Sequence, residues 1–239
     1  RLKRFSEIGT IAAKYGLTAF MPRTLLHILK LEHRSGDEKS FRDLKLEERL
    51  RLAFEELGTT YIKLGQILSL RSDVIPAAMA EEFKKLQDNV TPMSFTVIKP
   101  IIEEELDSKI EDVFTSFNEE PVAAASISQV YSAILKETGE EVIVKVRKPG
   151  VVEKIKGDME IILWIADIMQ KTSSYSKNID FKGIAEEFFW IMNQELDLMI
   201  EKSNTEKFVK NFSGEQWFWL TFPKMYSDLC TGRMLVMER

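Results

Sequence analysis

The chain has 239 residues, 44% of them hydrophobic and 30% charged, which suffices for one large domain or two modest ones and argues against disorder. A net charge of -5 makes nucleic acid an unpromising partner, although residues 1–30 carry a net +5 and leave -10 for the rest. A single cysteine, Cys230, excludes a disulfide framework and fits a reducing compartment; His27 and His33 have no cysteine cluster beside them for zinc, and no apolar run of 18 residues offers a transmembrane helix.

Residues 5–31, FSEIGTIAAKYGLTAFMPRTLLHILKL, read as two helical pieces broken near Pro22. Their apolar residues and basic charges suit either an anionic membrane surface or a helix pair packed on the rest of the protein. RSGDEKS at 34–40 reads as a loop. From Leu46 to about Leu70 the chain predicts one strong helix, because Leu50, Ala53, Phe54, Leu57, Tyr61, Leu64 and Leu68 recur at steps of three and four. Pro76 opens a further helix, PAAMAEEFKKLQ, as a first-turn proline does. The stretch 95–106 is helical, with an interruption expected at Pro100.

After about residue 110 the period changes. EDVFTSF, VAAASISQVYSAIL and EVIVKVR read as strands, with Thr138-Gly139 turning the second hairpin. In EVIVKVR, alternation puts Val142, Val144 and Val146 on one face and Ile143, Lys145 and Arg147 on the other. A helix at about 151–170 follows, and Asp180 is the expected N-cap of a long helix to about Phe208. WFWLTFPKMY and RMLVMER, around Thr231-Gly232, complete the pattern as another hairpin, with Pro223 at a strand end. The fold class is therefore α+β: a helical N-terminal extension, then a five-stranded antiparallel sheet with a long helix between its third and fourth strands. That is the architecture of a protein-kinase small lobe. The expected segments are 1–44, a candidate membrane-facing pair of helices; 45–115, a helical extension; and 116–239, the small lobe with a helical insert at 151–180.

Lysines in strands ordinarily face solvent, but Lys145 follows a hairpin with a small-residue loop, the arrangement in which a kinase lysine reaches a nucleotide's phosphates. Such a lysine needs a carboxylate from the following helix, and Glu201 is the obvious pairing. On that helix Phe181, Ile184, Phe188, Met192 and Met199 fall in one stripe, with Glu195 inside it, and a carboxylate there must snorkel out or find a buried cation. Asp197, Glu201 and Asn204 share the opposite side, either as a solvated face or around a cation. On the helix over 46–70, Lys63 and Gln66 point away from the apolar stripe. Gly58 and Gly65 share a side, which fits either close backbone approach to another element or a solvated face with incidental glycines.

KLGQ at 63–66 followed by LSLRSDVIP, AAAS at 123–126, VKV around Lys145, and ELD at 195–197 with Glu201 six residues after Glu195 together resemble the UbiB (aarF/ADCK) family of atypical protein-kinase-like proteins. The similarity covers about residues 46 to 239. The resemblance implies a part of an ATPase or atypical kinase linked to ubiquinone or related isoprenoid-lipid metabolism. It implies catalytic roles for Lys145 and Glu201, and nucleotide contacts from Ala123, Ala124, Ala125, Ser126, Lys145, Met237 and Glu238, the last two as gatekeeper and first hinge residue. Lys63, Gly65 and Gln66 would fold over the nucleotide cleft as a regulatory helix and meet Glu195 and Asp197, with Lys63 and Glu195 as an ion pair.

The resemblance also implies ATP or ADP and Mg2+ as cofactors, with the metal ligands and catalytic loop beyond Arg239, where the chain reaches the hinge. The start at Arg1 rather than Met fits a piece of a longer protein. Lipid-biosynthesis proteins and an anionic membrane surface met by residues 1–31 are the implied partners, in a cytoplasmic or organellar, membrane-peripheral setting. The alternative is a pseudokinase-like scaffold that binds nucleotide, lipid or proteins without catalysis. Alanines where kinases carry glycines narrow the loop's conformations and alter its grip on phosphate, disfavouring transfer to protein and favouring hydrolysis or small-molecule chemistry.

Overall fold

The structure, a computed structural model, describes residues 2–18, 43–87 and 91–239. Its helices, numbered among these residues, are α1 (Leu2–Lys14), α2 (Leu46–Leu57), α3 (Thr59–Ser69), α4 (Ala77–Phe83), α5 (Phe95–Leu106), the single turn α6 (Ile110–Val113), α7 (Val151–Thr172), α8 (Phe181–Leu196) and α9 (Leu198–Asn211). The strands are β1 (Phe114–Phe117), β2 (Ala123–Ala124), β3 (Ser128–Leu135), β4 (Glu141–Arg147) and β5 (Met234–Glu238). The chain forms two compact units, one of Arg1–Asp88 with Glu153–Trp190 and one of Asn89–Val152 with Ile191–Arg239.

The first unit is helical. Ile8, Ile11 and Ala12 recur at helical steps on α1 and are buried, as is Tyr15 just past its end, and Phe5 meets Trp164 of α7 edge to face at 5.2 Å. The apolar face of α1 is thus packed within its own unit. The break at Pro22, the second helical piece, both histidines and the loop at 34–40 lie outside the described residues.

The single helix expected from Leu46 to Leu70 is two helices. Gly58 sits between them at φ 91° and ψ -161°, a backbone state open to glycine and costly for other residues. Its N–H closes α2 on the Phe54 carbonyl at 3.0 Å, and its own carbonyl receives Tyr61 and Ile62 to begin α3. The close approach expected of both glycines therefore belongs to Gly65, where a Cβ would strike Leu86 Cδ1 and stand 3.0 Å from Phe54 Cδ2. Around it Ile62, Phe83 and Leu86 form a small core, with Phe54 stacked on Phe83 at 5.1 Å.

A buried ion pair, unforeseen in the sequence, ties this unit together. Asp158 on α7 is 0% exposed and accepts from Arg4 Nε at 2.6 Å, Arg4 Nη2 at 3.1 Å and Thr60 Oγ1 at 2.8 Å. Arg4 Nη2 also donates to the Leu57 carbonyl at 2.7 Å. Burial works against the Arg4 charge, but hydrogen bonds to Asp158 and Glu7 more than reverse this and hold the guanidinium above its ordinary range.

The second unit carries the antiparallel sheet, in the order β1-β3-β4-β5, with β2 added on β3. Val142, Val144 and Val146 are all 0% exposed and pack in one core with Ile98, Ile102, Tyr131 and Val236, as the alternation in β4 requires. The strand count is five, but its membership differs from expectation. The stretch read as VAAASISQVYSAIL divides into β2 and β3, while WFWLTFPKMY forms no strand and meets β5 at a bridge between Met225 and Met237. Two of its rings turn to the end of α9 instead: Trp217 lies edge-on to Phe212 at 4.9 Å and Phe222 meets Phe208 at 6.4 Å.

Smaller differences have local causes. The first half of EDVFTSF is the helical turn α6, and β1 begins only at Phe114. Helix α5 runs unbroken through Pro100, whose missing N–H faces the exposed side where the freed carbonyl can reach water. Asp180 caps α8 through the Gly183 N–H at 2.9 Å, but the expected single helix to Phe208 stops at Leu196 and resumes as α9.

Candidate functional site

The break between α8 and α9 sets the geometry of the site. Asp197 leaves the helical conformation (φ -108°, ψ 104°), and its carboxylate accepts the Met199 N–H at 3.0 Å, so it caps α9 rather than sharing a continuous helix face. The cap places Glu201 in the first turn of α9, where the helix dipole favours an acid. The buried stripe of α8 is Ala185, Phe188, Met192 and Leu196; Met199, expected within it, is 37% exposed, and Glu195 is half-buried beside it.

Arg147 stitches this break to the sheet. Its Nη1 donates to the Leu196 carbonyl, the orphaned end of α8, and to the Gly232 carbonyl at 3.0 Å, which also accepts the Leu198 N–H at 3.2 Å. Neither contact was read from the sequence. The available signal was parity, since Arg147 follows Lys145 on the same face of β4.

Lys145 lies in the middle of the sheet, opposite Val130 of β3 and Leu235 of β5. Its Nζ donates to both carboxylate oxygens of Glu201, at 2.6 and 2.9 Å. The side chains are 25% and 42% exposed, so the pair is held in place yet stays within reach of solvent and of an arriving anion.

The alanine loop is a hairpin. Ala123 pairs with Val130 and Ala124 with Gln129, and the Ala125 N–H is already spent on the Ser128 carbonyl at 2.9 Å. Ala123 and Ala125 are exposed and Ser126 is buried. Beneath the tip, Lys148 is buried with its Nζ 2.7 Å from the Ala125 carbonyl, another contact missed in the sequence. Gln129, 0% exposed, accepts the Met93 N–H at 2.6 Å and donates to the Tyr131 hydroxyl at 2.7 Å, anchoring the base of β3.

Met237 and Glu238 lie on β5 opposite Ile143 and Val142, and the Glu238 carboxylate accepts the Lys224 N–H at 3.1 Å. Lys63, Gly65 and Gln66 belong to α3 in the helical unit. There Gln66 Nε2 donates to the Leu86 carbonyl at 3.2 Å, tying α3 to the end of α4. A surface groove of about 730 Å³ lined by Lys136, Thr138, Lys224 and Tyr226 opens at the other end of β4 from Lys145. Among the described residues no group of three His, Cys, Asp or Glu side chains could hold a metal ion, and no helix is long and apolar enough to cross a membrane.

A five-stranded antiparallel sheet whose central lysine is held by a carboxylate from a flanking helix defines a kinase-like small lobe. The sequence agrees: residues 85–239 match the ABC1 atypical kinase-like domain, and the chain belongs to that family. It is 39% identical over 236 residues to an uncharacterized protein in the hydrogenase 1 5' region of Clostridium pasteurianum, an alignment spanning 99% of this chain and 41% of that protein. It is also 35% identical over 241 residues to a probable protein kinase UbiB of Erwinia tasmaniensis (100% of this chain, 44% of the relative). A probable protein kinase UbiB of Shewanella loihica is 39% identical over 192 residues (80% and 35%). The chain therefore spans about two fifths of the length of these relatives.

Proposed function

We propose that this chain supplies the phosphate- and adenine-contacting part of an ATP site in a UbiB-type atypical kinase or ATPase linked to ubiquinone or related isoprenoid-lipid metabolism. The observation that carries the reading is the bidentate contact of Lys145 with Glu201 across the open side of the sheet. Glu201 holds the ammonium outstretched, so that an arriving phosphate meets a positioned cation instead of a mobile one. The hairpin Ala123–Ala125 with Ser126 covers the phosphates, and Met237 and Glu238 meet the adenine. Mg2+ bound with the nucleotide would neutralise charge on the phosphates. Lys63, Gly65, Gln66, Glu195 and Asp197 take a regulatory role on the family resemblance alone.

Because the Ala125 N–H is engaged inside the hairpin, the loop offers phosphate fewer donors than an open glycine loop would. This favours hydrolysis or small-molecule chemistry over transfer to protein, and it is also what a non-catalytic nucleotide-binding scaffold would need. Steady-state ATP hydrolysis by the complete protein separates the two. Lys145→Ala should lower kcat/KM by about 100-fold or more; turnover equal to that of the parent protein would remove Lys145 from the mechanism. An anionic membrane surface met by residues 1–31 belongs to the same reading, motivated by the net +5 of residues 1–30. Flotation with neutral and anionic liposomes tests it.

A further inference from the structure

Lys148 takes no part in that scheme, yet its surroundings are unusual. It continues the inward-facing series Val142, Val144, Val146, and only 5% of it is exposed. A buried ammonium ordinarily calls for a carboxylate, and among the described residues none is paired with Lys148. Burial holds its pKa below the ordinary lysine range. Its Nζ donates to the Ala125 carbonyl at 2.7 Å, and its backbone N–H donates to the Ile127 carbonyl at 2.9 Å. Both acceptors lie at the tip of the β2–β3 hairpin, so one residue grips the loop at two points. Immediately afterwards Pro149 and Gly150, the latter at φ 72°, turn the chain away and fix where Lys148 stands.

We propose that Lys148 is a positioning residue of the alanine loop: its ammonium draws the Ala125 carbonyl inward, sets the path of the hairpin tip, and thereby governs how the loop accepts a nucleoside di- or triphosphate. A carbonyl oxygen facing outward from that tip would repel phosphate oxygens. Drawn inward, it leaves the alanine methyls and the remaining N–H groups as the outer surface. The second half of the inference rests on the nucleotide reading above; the first half does not.

The test compares Lys148→Met and Lys148→Arg in the complete protein by amide hydrogen exchange over residues 122–130 and 145–150, and by titration with ATP, ADP and adenosine. Lys148→Met should accelerate exchange at the hairpin tip and weaken ATP and ADP, each by about tenfold, the equivalent of one buried hydrogen bond, and leave adenosine within about twofold. Lys148→Arg, which keeps the donors, should restore both. Should the methionine variant fail to fold, Lys148→Gln undergoes the same comparison. Unchanged exchange at the tip, or acceleration spread evenly over the chain, overturns the proposal. A parent protein that binds none of the three ligands overturns the nucleotide reading, while the exchange comparison still decides whether Lys148 holds the loop.

Discussion

The helical unit and the sheet unit are each organised around a cation–carboxylate pair, and the two pairs are built to opposite specifications. Arg4 and Asp158 are 16% and 0% exposed, and Thr60 and the Leu57 carbonyl take up hydrogen-bonding capacity around them. Lys145 and Glu201 are 25% and 42% exposed, with one edge left to solvent. In the closed pair, desolvation is severe and must be met inside the protein by geometry and extra hydrogen bonds, so the charge is committed to holding α1, α2, α3 and α7 together. In the open pair water screens the attraction and the net stabilisation is small. Contact distance alone does not distinguish them, since both close to 2.6 Å. Burial does.

The sharpest way to break this comparison is to remove the cation from the closed pair. Arg4→Met leaves Asp158 buried and charged with Thr60 as its remaining side-chain donor, and should cost about 3–5 kcal/mol in urea denaturation. Replacing Asp158 by Leu in the same chain should return part of that loss, because the buried unpaired charge then vanishes, while Thr60 Oγ1 and the Leu57 carbonyl still lack the partners they had. A loss under about 1 kcal/mol for Arg4→Met would place this pair in the same screened class as the other.

Next in size is a test of how tightly the helical unit is packed beside its charge network. Gly65→Ala improves helix propensity by about 1 kcal/mol, yet its Cβ meets Leu86 and Phe54 with no room to spare. Overpacking should win, for a net loss of about 1–3 kcal/mol by thermal or chemical denaturation. Gly58→Ala, with only Lys154 Nζ near its Cβ at 3.5 Å, should lose about 1–2 kcal/mol for a different reason, the strain of φ 91° on a residue with a side chain.

What the sequence disclosed follows the same division between local and distant causes. The alternation in EVIVKVR placed Lys145 correctly because one face of β4 is wholly buried and a shift of one residue would invert it. Asp180 as a cap and Gly139 as a turn were equally local. The break at Gly58 was not legible: paired with Gly65 it suggested close approach, and nothing nearby announced a positive φ. Asp158 carries no local signal of its role, since its partner Arg4 stands 154 residues earlier. WFWLTFPKMY has strand-like composition, but contacts of Trp217 and Phe222 with Phe212 override it. Lys148 has the parity of the buried valines, and a lysine there is read as solvated by default.

The smallest expected effect bears most directly on the candidate site. Lys145→Met in the complete protein should change unfolding free energy by about 1 kcal/mol or less, because the partly exposed pair contributes little and Glu201 can turn to water when its partner is gone. Nucleotide affinity and turnover should fall in the same variant, so that stability and ligand response separate. That separation is what an open pair means physically: the carboxylate organises a charge for something arriving from outside. If instead Lys145→Met destabilises the protein by 3 kcal/mol or more, Lys145 is holding the fold as Arg4 does, and its value to a phosphate would have to be measured against that structural duty.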